Sequence, residues 1–540
     1  MENIHYNLLE KPWIPVEGKD GKVSMRGIKE VIARAHEFVL IVEPSPLLEF
    51  GLYRFLVAFV MDAYTIKDTE DITDLLATGS FDQKELDGYI DKWHDRFDLF
   101  DEKHPFYQAP VACPDRDDPK KRKSPAQLFQ HIPTGTNVIH FFHVTEGEHV
   151  VSLAAAARAL CAIPAFMTAG GAGFSPSINV EPPLYVLIKG ENLFQTLVLN
   201  SCGIPIEENG GSGPVAWRAD NVGTREEIDA TSLLQGLTWQ PRHVHLIPGK
   251  GGRCTYTGEQ EDVLVHEVVF DPGWKARCEW RDPNVAYRIT KDGRSPLRAQ
   301  EGKDIWRDTG PLLLLQEHQY RSLDKNPVSY EKPIVVKQFV DLKINRVLSK
   351  STSLAVNVYG IRTDGKMKIY DWQKVSLSLP ADIVINPTAG ESMQENMERA
   401  DGVSRMFYAA MKMAYPRDGE GNDKANENLI KIVQRKFWNA LEPRYNVDFV
   451  AFLQGLAPND PDFKTKAQRV WSDKVKPIAK ELIDQALDPL DATADEIRRV
   501  INARNMFIYK LKQILDPAAV TASGASKPKP ERRKTAKEAE

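Results

Sequence analysis

The stretch TAGGAGFSPS, residues 168–177, contains the residues best suited to holding another molecule against the backbone. Gly170, Gly171, Ala172 and Gly173 carry nothing larger than a methyl group, so a ligand can approach their amides closely. A nucleotide phosphate is the first chemistry that such residues suggest, because glycine-rich turns at helix N-termini bind phosphates. The order of elements argues against it. SLAAAARALCAI predicts a helix before the glycines and PPLYVLI a strand after them, which is the reverse of a phosphate-binding loop.

Three histidines are the next candidates for chemistry. His243 and His245 in RHVH would share one face of a strand and could ligate a metal, but no nearby carboxylate or cysteine pattern completes a site. They are interpreted as ordinary strand histidines. His104 in HPFYQ, beside Pro105 and Phe106, is interpreted as a structural hydrogen-bonding group. No signature of a nucleophile, a zinc protease or a cysteine–histidine pair is present, so no catalytic residue, metal or cofactor is predicted.

Two other segments have residue types that suit nucleic acids. PKKRK (119–123) resembles a nuclear import run or a nucleic-acid-binding patch but could equally be a solvated loop, and the sequence leaves these open. His140, Phe141 and Phe142 in NVIHFFH form an aromatic run. As a strand this run would be buried, whereas in a loop its rings would stack against bases.

Composition restricts the class of protein. The 540 residues include 70 Lys and Arg against 75 Asp and Glu, which disfavours a free-standing nucleic-acid binder, since such proteins are usually basic. The five cysteines are widely spaced without a CxxC pair, which predicts a reducing cytoplasm and no disulfides. The longest apolar run, LLEFGLYRFLVAFVMDAY, is interrupted by Glu49, Arg54 and Asp62 and predicts a buried helix rather than a membrane span.

The pattern of elements predicts an α+β protein with a large mixed N-terminal domain followed by a C-terminal four-helix bundle. β-Branched residues dominate between Trp239 and Trp372 and predict strands at WQPRHVHLI, VLVHEVVF, PIVVKQFV and SLAVNVYGI. The predicted domains are a mixed α+β domain at 1–380, a helical bundle at 381–516, and a disordered basic tail at 517–540.

Helical periodicity is strongest in the predicted bundle. Apolar spacing predicts helices at about 391–414, 425–441, 463–487 and 493–515. The last helix begins with Thr493 and Glu496 at the spacing of a capping box. We expect one buried stripe along it, formed by Ile497, Val500, Ile501, Phe507, Leu511, Ile514 and Leu515.

Six short motifs in register resemble one family, the large subunit, called CasA, of the type I-E CRISPR surveillance complex (Cascade). They are WIPV (13–16), HPFYQ (104–108), GTN (135–137), GGAGF (170–174), LTWQPRHVHL (237–246) and VVKQF (335–339). Each motif alone is weak, but the ordered set spans about residues 5–515. The resemblance implies a non-catalytic subunit of a complex in which guide RNA reads the target, while protein reads the short flanking duplex motif, the PAM.

The resemblance also implies a PAM-reading site that works from the minor groove. Its glycine loop would be Gly170, Gly171, Ala172 and Gly173, with alanine as a departure from the glycine pattern. The basic residue of this implied site falls in IPGKGGRC. Alignment on Cys254 assigns it to Arg253, whereas the type of side chain expected there assigns it to Lys250, and both assignments stay open. A hairpin would present Gln338 as a wedge that starts strand separation. Lys337 stands before it where the family pattern has asparagine, which adds attraction to phosphate but removes an amide able to bond a base edge.

The resemblance further implies the partners. NVIHFFH would dock beside the 5′ handle of the guide RNA, through Asn137, His140, Phe141 and Phe142. The bundle would contact the displaced strand and the small subunits. The implied partners are target double-stranded DNA, the crRNA-bearing backbone, 5′-handle-binding and small subunits, and a helicase–nuclease that degrades the DNA in antiviral defence, with no membrane partner.

Two alternatives from other classes stay open on the sequence. One is a cytoplasmic enzyme with an active site near His104 or the pair His243 and His245. The other is a scaffold protein that uses the helical bundle and has no DNA contact.

Overall fold

A computed structural model describes most of the chain. The described residues are 4–109, 118–132, 148–170, 173–202, 211, 213–220, 226–291, 293–315, 329–349, 351–364, 368–415, 420–490 and 493–516. They form two compact units, the first ending at Ile385 and the second beginning at Asn386. The boundary predicted from the sequence, after residue 380, lies one short helix earlier.

The first unit mixes helices with small sheets. Its helices are α1 (Ile28–Ala33), α2 (Pro46–Ala63), α3 (Thr69–Thr78), α4 (Gln83–Trp93), α5 (Leu153–Phe166), α6 (Leu193–Asn200), α7 (Leu233–Leu237), α8 (Ile334–Ile344) and α9 (Ala381–Val384). Its strands are β1 (Ile14–Gly18), β2 (Val23–Arg26), β3 (Phe38–Ile41), β4 (Val151–Ser152), β5 (Tyr185–Ile188), β6 (Glu227–Ile228), β7 (Arg242–Arg253), β8 (Gln260–Pro272), β9 (Lys275–Ala276), β10 (Tyr287–Thr290), β11 (Gly293–Pro296), β12 (Ser329–Glu331), β13 (Leu354–Thr363) and β14 (Ile369–Leu379). The three-stranded sheets have the orders β2-β1-β3, β4-β8-β7, β14-β13-β5 and β11-β10-β12, and β6 pairs with β9.

Helix α2 forms the centre of the first unit's core. It is buried along almost its whole length, including two of the charged residues that interrupt its apolar run. Arg54 forms an ion pair of 2.9 Å with Asp282, and Glu49 accepts a hydrogen bond of 2.6 Å from Lys374. Because a buried charge needs a partner, these contacts explain how a partly charged segment lies in the core. The buried helix is confirmed, and no helix in the described ranges is long and apolar enough to span a bilayer.

Strands β7 and β8, of 12 and 13 residues, pair as a long antiparallel hairpin. Its register begins with Arg242 opposite Pro272 and ends with Arg253 opposite Gln260, with one shift after Ile247. The strands predicted at WQPRHVHLI and VLVHEVVF are therefore confirmed, and β13 confirms the one predicted at SLAVNVYGI. The first half of β7, residues 242–246, is buried on both faces, and the far end of the hairpin is exposed.

The segment PIVVKQFV is a helix, so the predicted strand is wrong. Pro333 is the N-cap of α8, and Val335, Phe339 and Leu342 are buried along one side of the helix. Their spacing of four and three residues is the helical period. Strand propensity depends strongly on context, so two adjacent valines did not decide the structure here.

The second unit is helical. Its helices are α10 (Pro387–Ala414), α11 (Glu420–Pro443), α12 (Val450–Gln454), α13 (Phe463–Leu487) and α14 (Ala494–Leu515), with a π-turn at Arg444–Phe449. The four longest lie where the four helices were predicted, and the α+β fold class with a C-terminal helical region is confirmed.

The last helix, α14, agrees with its predicted start but only partly with its predicted face. The Thr493 side chain accepts from the Glu496 amide, and the Glu496 carboxylate accepts from the Thr493 amide, so the capping box is present. Along the predicted stripe, Phe507 is buried, but Ile497 and Ile501 are 44% and 50% exposed. The buried stripe instead follows Val500, Ala503, Phe507, Leu511 and Leu515. The prediction considered only large apolar residues, so it left out Ala503 and included the exposed isoleucines.

Candidate nucleic-acid interface

The glycine stretch is a loop that closes on itself. It follows α5, and the Ser177 amide donates a hydrogen bond of 2.8 Å to the Met167 carbonyl, so the two ends meet as in an Ω-loop. We call residues 167–177 the glycine loop. Gly173 has φ +91°, a backbone conformation that strains any residue with a Cβ. The predicted order of helix, glycines and strand is confirmed, while Gly171 and Ala172 lie outside the described residues.

The side chain of Arg242, the first residue of β7, fills the glycine loop. Its guanidinium donates a hydrogen bond of 2.9 Å to the Thr168 carbonyl and a second, short one to the Ser175 carbonyl. Its Cζ lies 4.8 Å from the centre of the Phe174 ring, and a Cβ on Gly170 would come within 3.2 Å of Nη2. Arg242 is 4% exposed, and burial lowers its pKa to about 10. The glycine loop is therefore built around one buried cation.

Sequence reasoning missed Arg242, although a signal for it exists. The motif LTWQPRHVHL places an arginine in a run that forms an almost fully buried strand end. A buried arginine requires acceptors, and a neighbouring loop short of side chains offers backbone carbonyls. Nothing local identifies which loop that is, because residues 168 and 242 are far apart in the sequence.

Lys250 and Arg253 lie at the other end of β7 from Arg242. At about 3.3 Å per residue, Lys250 is ~26 Å and Arg253 ~36 Å further along the strand. The two basic residues are exposed, and their odd separation places them on opposite faces of the hairpin. The structure thus does not bring them close to the glycine loop. A duplex that touched both ends of β7 would have to follow it for about eight base pairs, at ~3.4 Å per pair.

The surroundings of Lys250 and Arg253 are acidic rather than basic. Arg253 Nε donates a hydrogen bond of 3.0 Å to the Gly258 carbonyl and so helps to close the hairpin turn. Three carboxylates lie in or beside this turn: that of Glu259, just before β8, and those of Glu261 and Asp262 in its first residues. Partial burial and the charges of Glu259 and Asp262 raise the pKa of Glu261. The carboxylates outnumber the two cations, so this end of the hairpin attracts phosphate only weakly.

Gln338 does not lie on a hairpin, which corrects the predicted position of the wedge. It is in α8, only 6% exposed, and its amide donates a hydrogen bond of 2.8 Å to the Ser201 carbonyl. Lys337 lies on the exposed side of the same helix. Inserting Gln338 between bases would require it to leave this buried hydrogen bond, and its role as a wedge stays a prediction.

The predicted docking residues Asn137, His140, Phe141 and Phe142 lie outside the described residues. The chain that leads to them is anchored at His131, whose Nδ1 lies 2.9 Å from the Ser45 hydroxyl. The ring of His131 packs near those of Tyr256 and Trp372, with centroid distances of 6.0 and 5.9 Å. Burial lowers the pKa of His131 to about 4, so it is neutral at pH 7.

The basic run PKKRK is partly built into the sheet. Pro119–Lys121 is one turn of 3₁₀ helix, and Arg122 forms an ion pair of 2.8 Å with Glu267. Lys123 exchanges two backbone hydrogen bonds with Val268 in β8. The two C-terminal residues of the run are thus held by β8.

The histidines do not gather into a catalytic arrangement. His243 and His245 are 1% and 3% exposed within β7, and His245 Nε2 lies 3.4 Å from the Asp271 carboxylate. His104 Nδ1 accepts a hydrogen bond of 3.0 Å from Arg96, and partial burial together with the charge of Arg96 lowers the pKa of His104. A cavity of about 220 Å³ lies beside Glu49 and Lys374, and no histidine lines it. Among the described residues, no three His, Cys, Asp or Glu side chains are grouped as metal ligands.

These features define a class of protein: a mixed α+β body that presents a closed glycine loop, followed by a helical unit. Comparison with known proteins is consistent with that class. The sequence model of the family CRISPR-associated protein Cse1 matches residues 7–482. The CRISPR-associated protein CasA/Cse1 of Thermus thermophilus is 28% identical over 467 residues, which cover 82% of this chain and 86% of the relative. The chain therefore belongs to the Cse1 family.

Solved structures share the fold over nearly the whole chain. The crystal structure of Thermus thermophilus CasA superposes with a TM-score of 0.73 at 23% identity, covering 94% of this chain and 100% of that one. Cse1 from Acidimicrobium ferrooxidans gives a TM-score of 0.72 at 19% identity, with 96% and 99% covered. A chain of a CRISPR RNA-guided surveillance complex gives 0.69 at 18% identity, with 93% and 99% covered.

Proposed function

We propose that this protein is the large, non-catalytic subunit of a type I-E CRISPR RNA-guided surveillance complex in the cytoplasm, and that it reads the PAM of target double-stranded DNA from the minor groove. Family membership and the likeness to a chain of such a complex support the assignment to the complex. The observation that carries PAM reading is the closed glycine loop, in which Gly173 is exposed, Gly170 is half-buried, and neither carries a side chain.

The glycine loop suits a minor groove for steric and chemical reasons. The groove is about 6 Å wide, so backbone reaches its floor only where side chains are small. Its floor presents mainly acceptors, A N3 and T O2, which backbone N–H groups can bond. Such a reader separates A·T from G·C pairs but distinguishes little else, so it would tolerate several related PAMs.

Recognition at the glycine loop would be the first of several steps. Binding there offsets the few kcal/mol needed to unstack each adjacent base step, after which guide RNA pairs with the released strand and an R-loop forms. The segment with Asn137, His140, Phe141 and Phe142 would dock beside the crRNA 5′ handle and the backbone subunits. The helical unit would meet the small subunits and the displaced strand, and the assembled R-loop would recruit the helicase–nuclease.

The test uses the assembled complex and a library of target duplexes with randomised flanking positions. Gly171→Asp adds bulk and negative charge to the glycine loop, so we expect at least tenfold weaker binding of the duplexes that the wild-type complex selects. Gly88→Asp is the matched control, because Gly88 is exposed on α4 and a side chain there meets nothing within 4 Å. Unchanged selection by the Gly171→Asp complex would exclude the loop as the PAM reader.

A further inference from the structure

We infer that Arg242 is the positioning residue of the glycine loop: it holds the loop closed from inside and orients its backbone donors outward. The inference rests on the proposed function only for the identity of the ligand. The geometry itself is independent of that ligand, since it consists of contacts within the chain.

The first support is that one side chain bridges the two arms of the loop. Thr168 is next to one end and Ser175 is close to the other, and both carbonyls accept hydrogen bonds from the same guanidinium. The Phe174 ring covers the guanidinium at 4.8 Å. The backbone hydrogen bond between Met167 and Ser177 also joins the two arms.

The second support is the direction of the peptide groups. In a trans peptide the C=O and the following N–H point in opposite directions. Because the Thr168 carbonyl points at the buried guanidinium, the N–H of Ala169 points away from it. Ala169 is half-buried and adjoins Gly170, so under the proposed function this donor would be on the side of the glycine loop that meets the ligand. The ligand that fits such a donor is an acceptor on a groove floor or a phosphate oxygen.

The third support is charge. The partners of Arg242 are the carbonyls of Thr168, Ser175 and Pro241 and the Phe174 ring, and it forms no ion pair with a carboxylate of the described residues. At neutral pH it is protonated, since its pKa of about 10 lies above that range. A positive charge that forms no ion pair with a carboxylate in the described part of the chain therefore lies beneath the glycine loop, where it favours an anionic ligand such as DNA.

Arginine is required for this arrangement, and lysine would not replace it. The guanidinium is a planar fork that donates in two directions and stacks on an aromatic ring, whereas an ammonium is a compact point charge. Arg242→Lys therefore keeps the charge and breaks the bridge, and Arg242→Met removes both. Phe174→Ala removes the ring but leaves the two hydrogen bonds.

The experiment measures amide hydrogen exchange of residues 168–177 in the full chain and, separately, the affinity of the assembled complex for a PAM duplex. We expect Arg242→Lys and Arg242→Met to raise exchange in this segment at least tenfold, with β8 unchanged, and to weaken PAM binding at least tenfold. Phe174→Ala should give a smaller increase in exchange. If Arg242→Met does not fold, the lysine and alanine variants carry the test.

The outcomes separate the inference from the proposed function. Wild-type exchange in the folded Arg242→Lys protein would overturn the inference, whatever the DNA result. Faster exchange in Arg242→Lys, with undiminished PAM binding in both Arg242→Lys and Gly171→Asp, would support Arg242 as the residue that holds the loop closed and would overturn the loop as the PAM reader. A third outcome combines a Gly171→Asp variant that loses PAM binding with an Arg242→Lys variant that opens the loop and keeps PAM binding. That outcome would overturn the claim that Arg242 orients the backbone donors of the glycine loop.

Discussion

The two ends of the β7–β8 hairpin differ in how they use the same residue types. At the near end a single arginine is buried beneath small residues, and its hydrogen-bond and ring partners among the described residues are carbonyls and Phe174. At the far end two basic residues are exposed among three carboxylates. The near end places one buried cation beneath the glycine loop and one carboxylate, Asp271, beside His245, whereas at the far end the carboxylates outnumber the cations. Counting basic residues along the hairpin would thus select the end that is less suited to binding DNA.

The glycines differ in the same way. At the far end a Cβ on Gly249 would meet the His266 ring at 2.4 Å, and one on Gly251 would meet the backbone of Asp262 and Glu261 at 2.4 Å. Those glycines allow the two strands to pack. At the near end Gly173 is required by its positive φ in an exposed turn. The glycines within the strands of the far end therefore reflect strand packing, whereas Gly173, like Gly258 at φ +77° in the far turn, reflects loop conformation.

The largest expected effect concerns pH and the anchoring of the far end. The turn residue Tyr256 packs against His131, whose pKa is about 4 when folded and about 6.5 when unfolded. Between these values the unfolded chain binds the extra proton, so stability falls as pH drops from 6.5 through 4, by up to about 3 kcal/mol. The free energy of unfolding, measured by urea titration at several pH values across this range, should depend less steeply on pH in His131→Phe than in wild type.

Hydrogen exchange localises that effect. The far turn, residues 254–259, should exchange faster at pH 5 after correction for intrinsic rates, while residues 168–177 should not, because Arg242 stays charged. Equal pH dependence of wild type and His131→Phe would contradict the assignment to His131.

The second effect separates the two kinds of glycine. Gly173→Val places a β-branched residue at φ +91°, which costs ~1–3 kcal/mol of local strain. We expect PAM-duplex affinity to fall about ten- to hundredfold, at 1.4 kcal/mol per tenfold. Gly252→Ala at the far end is the control, since its Cβ would make an ordinary contact of 3.5 Å with Leu264. Similar losses in both variants would remove the distinction between the ends.

The third effect tests what Lys250 contributes. As an exposed cation it would contact phosphate without reading sequence, so Lys250→Ala should weaken binding of all duplexes alike, by about twofold to fivefold, and reduce the salt slope by about 1. Titrations at several salt concentrations, with PAM and scrambled duplexes, measure both quantities. Selective loss on the PAM duplex would instead make Lys250 a base reader.

The smallest effect is expected for Arg253. Arg253→Ala removes one exposed hydrogen bond to Gly258, so we expect a loss of about 0.5 kcal/mol in the free energy of unfolding and less than a twofold change in DNA affinity. Thermal unfolding and duplex titration measure these, with Arg253→Lys as the matched control. If Arg253→Ala lowered the affinity for the PAM duplex more than tenfold, the far end of the hairpin, rather than the glycine loop, would be the PAM reader.

Much of the fold followed from local pattern. The four long helices of the second unit, the capping box at Thr493, and buried α2 all depend on spacing within one segment. Where local signals competed, prediction failed: the valines of α8 favoured a strand, but the period of Val335, Phe339 and Leu342 prevailed. The glycine loop was located correctly because small residues after a helix are visible in sequence, and its proposed ligand stays a prediction.

The candidate site depended on contacts that no local pattern encodes. That Arg242 fills a loop more than sixty residues earlier, that Gln338 bonds Ser201, and that Lys250 lies ~26 Å along β7 from Arg242 are consequences of chain topology. Sequence by itself determined the class of elements and the small residues of the loop, because propensity and periodicity act over a few residues. Only the tertiary structure decided which cation lies beneath that loop, because burying a charge depends on which distant carbonyls the fold brings to it.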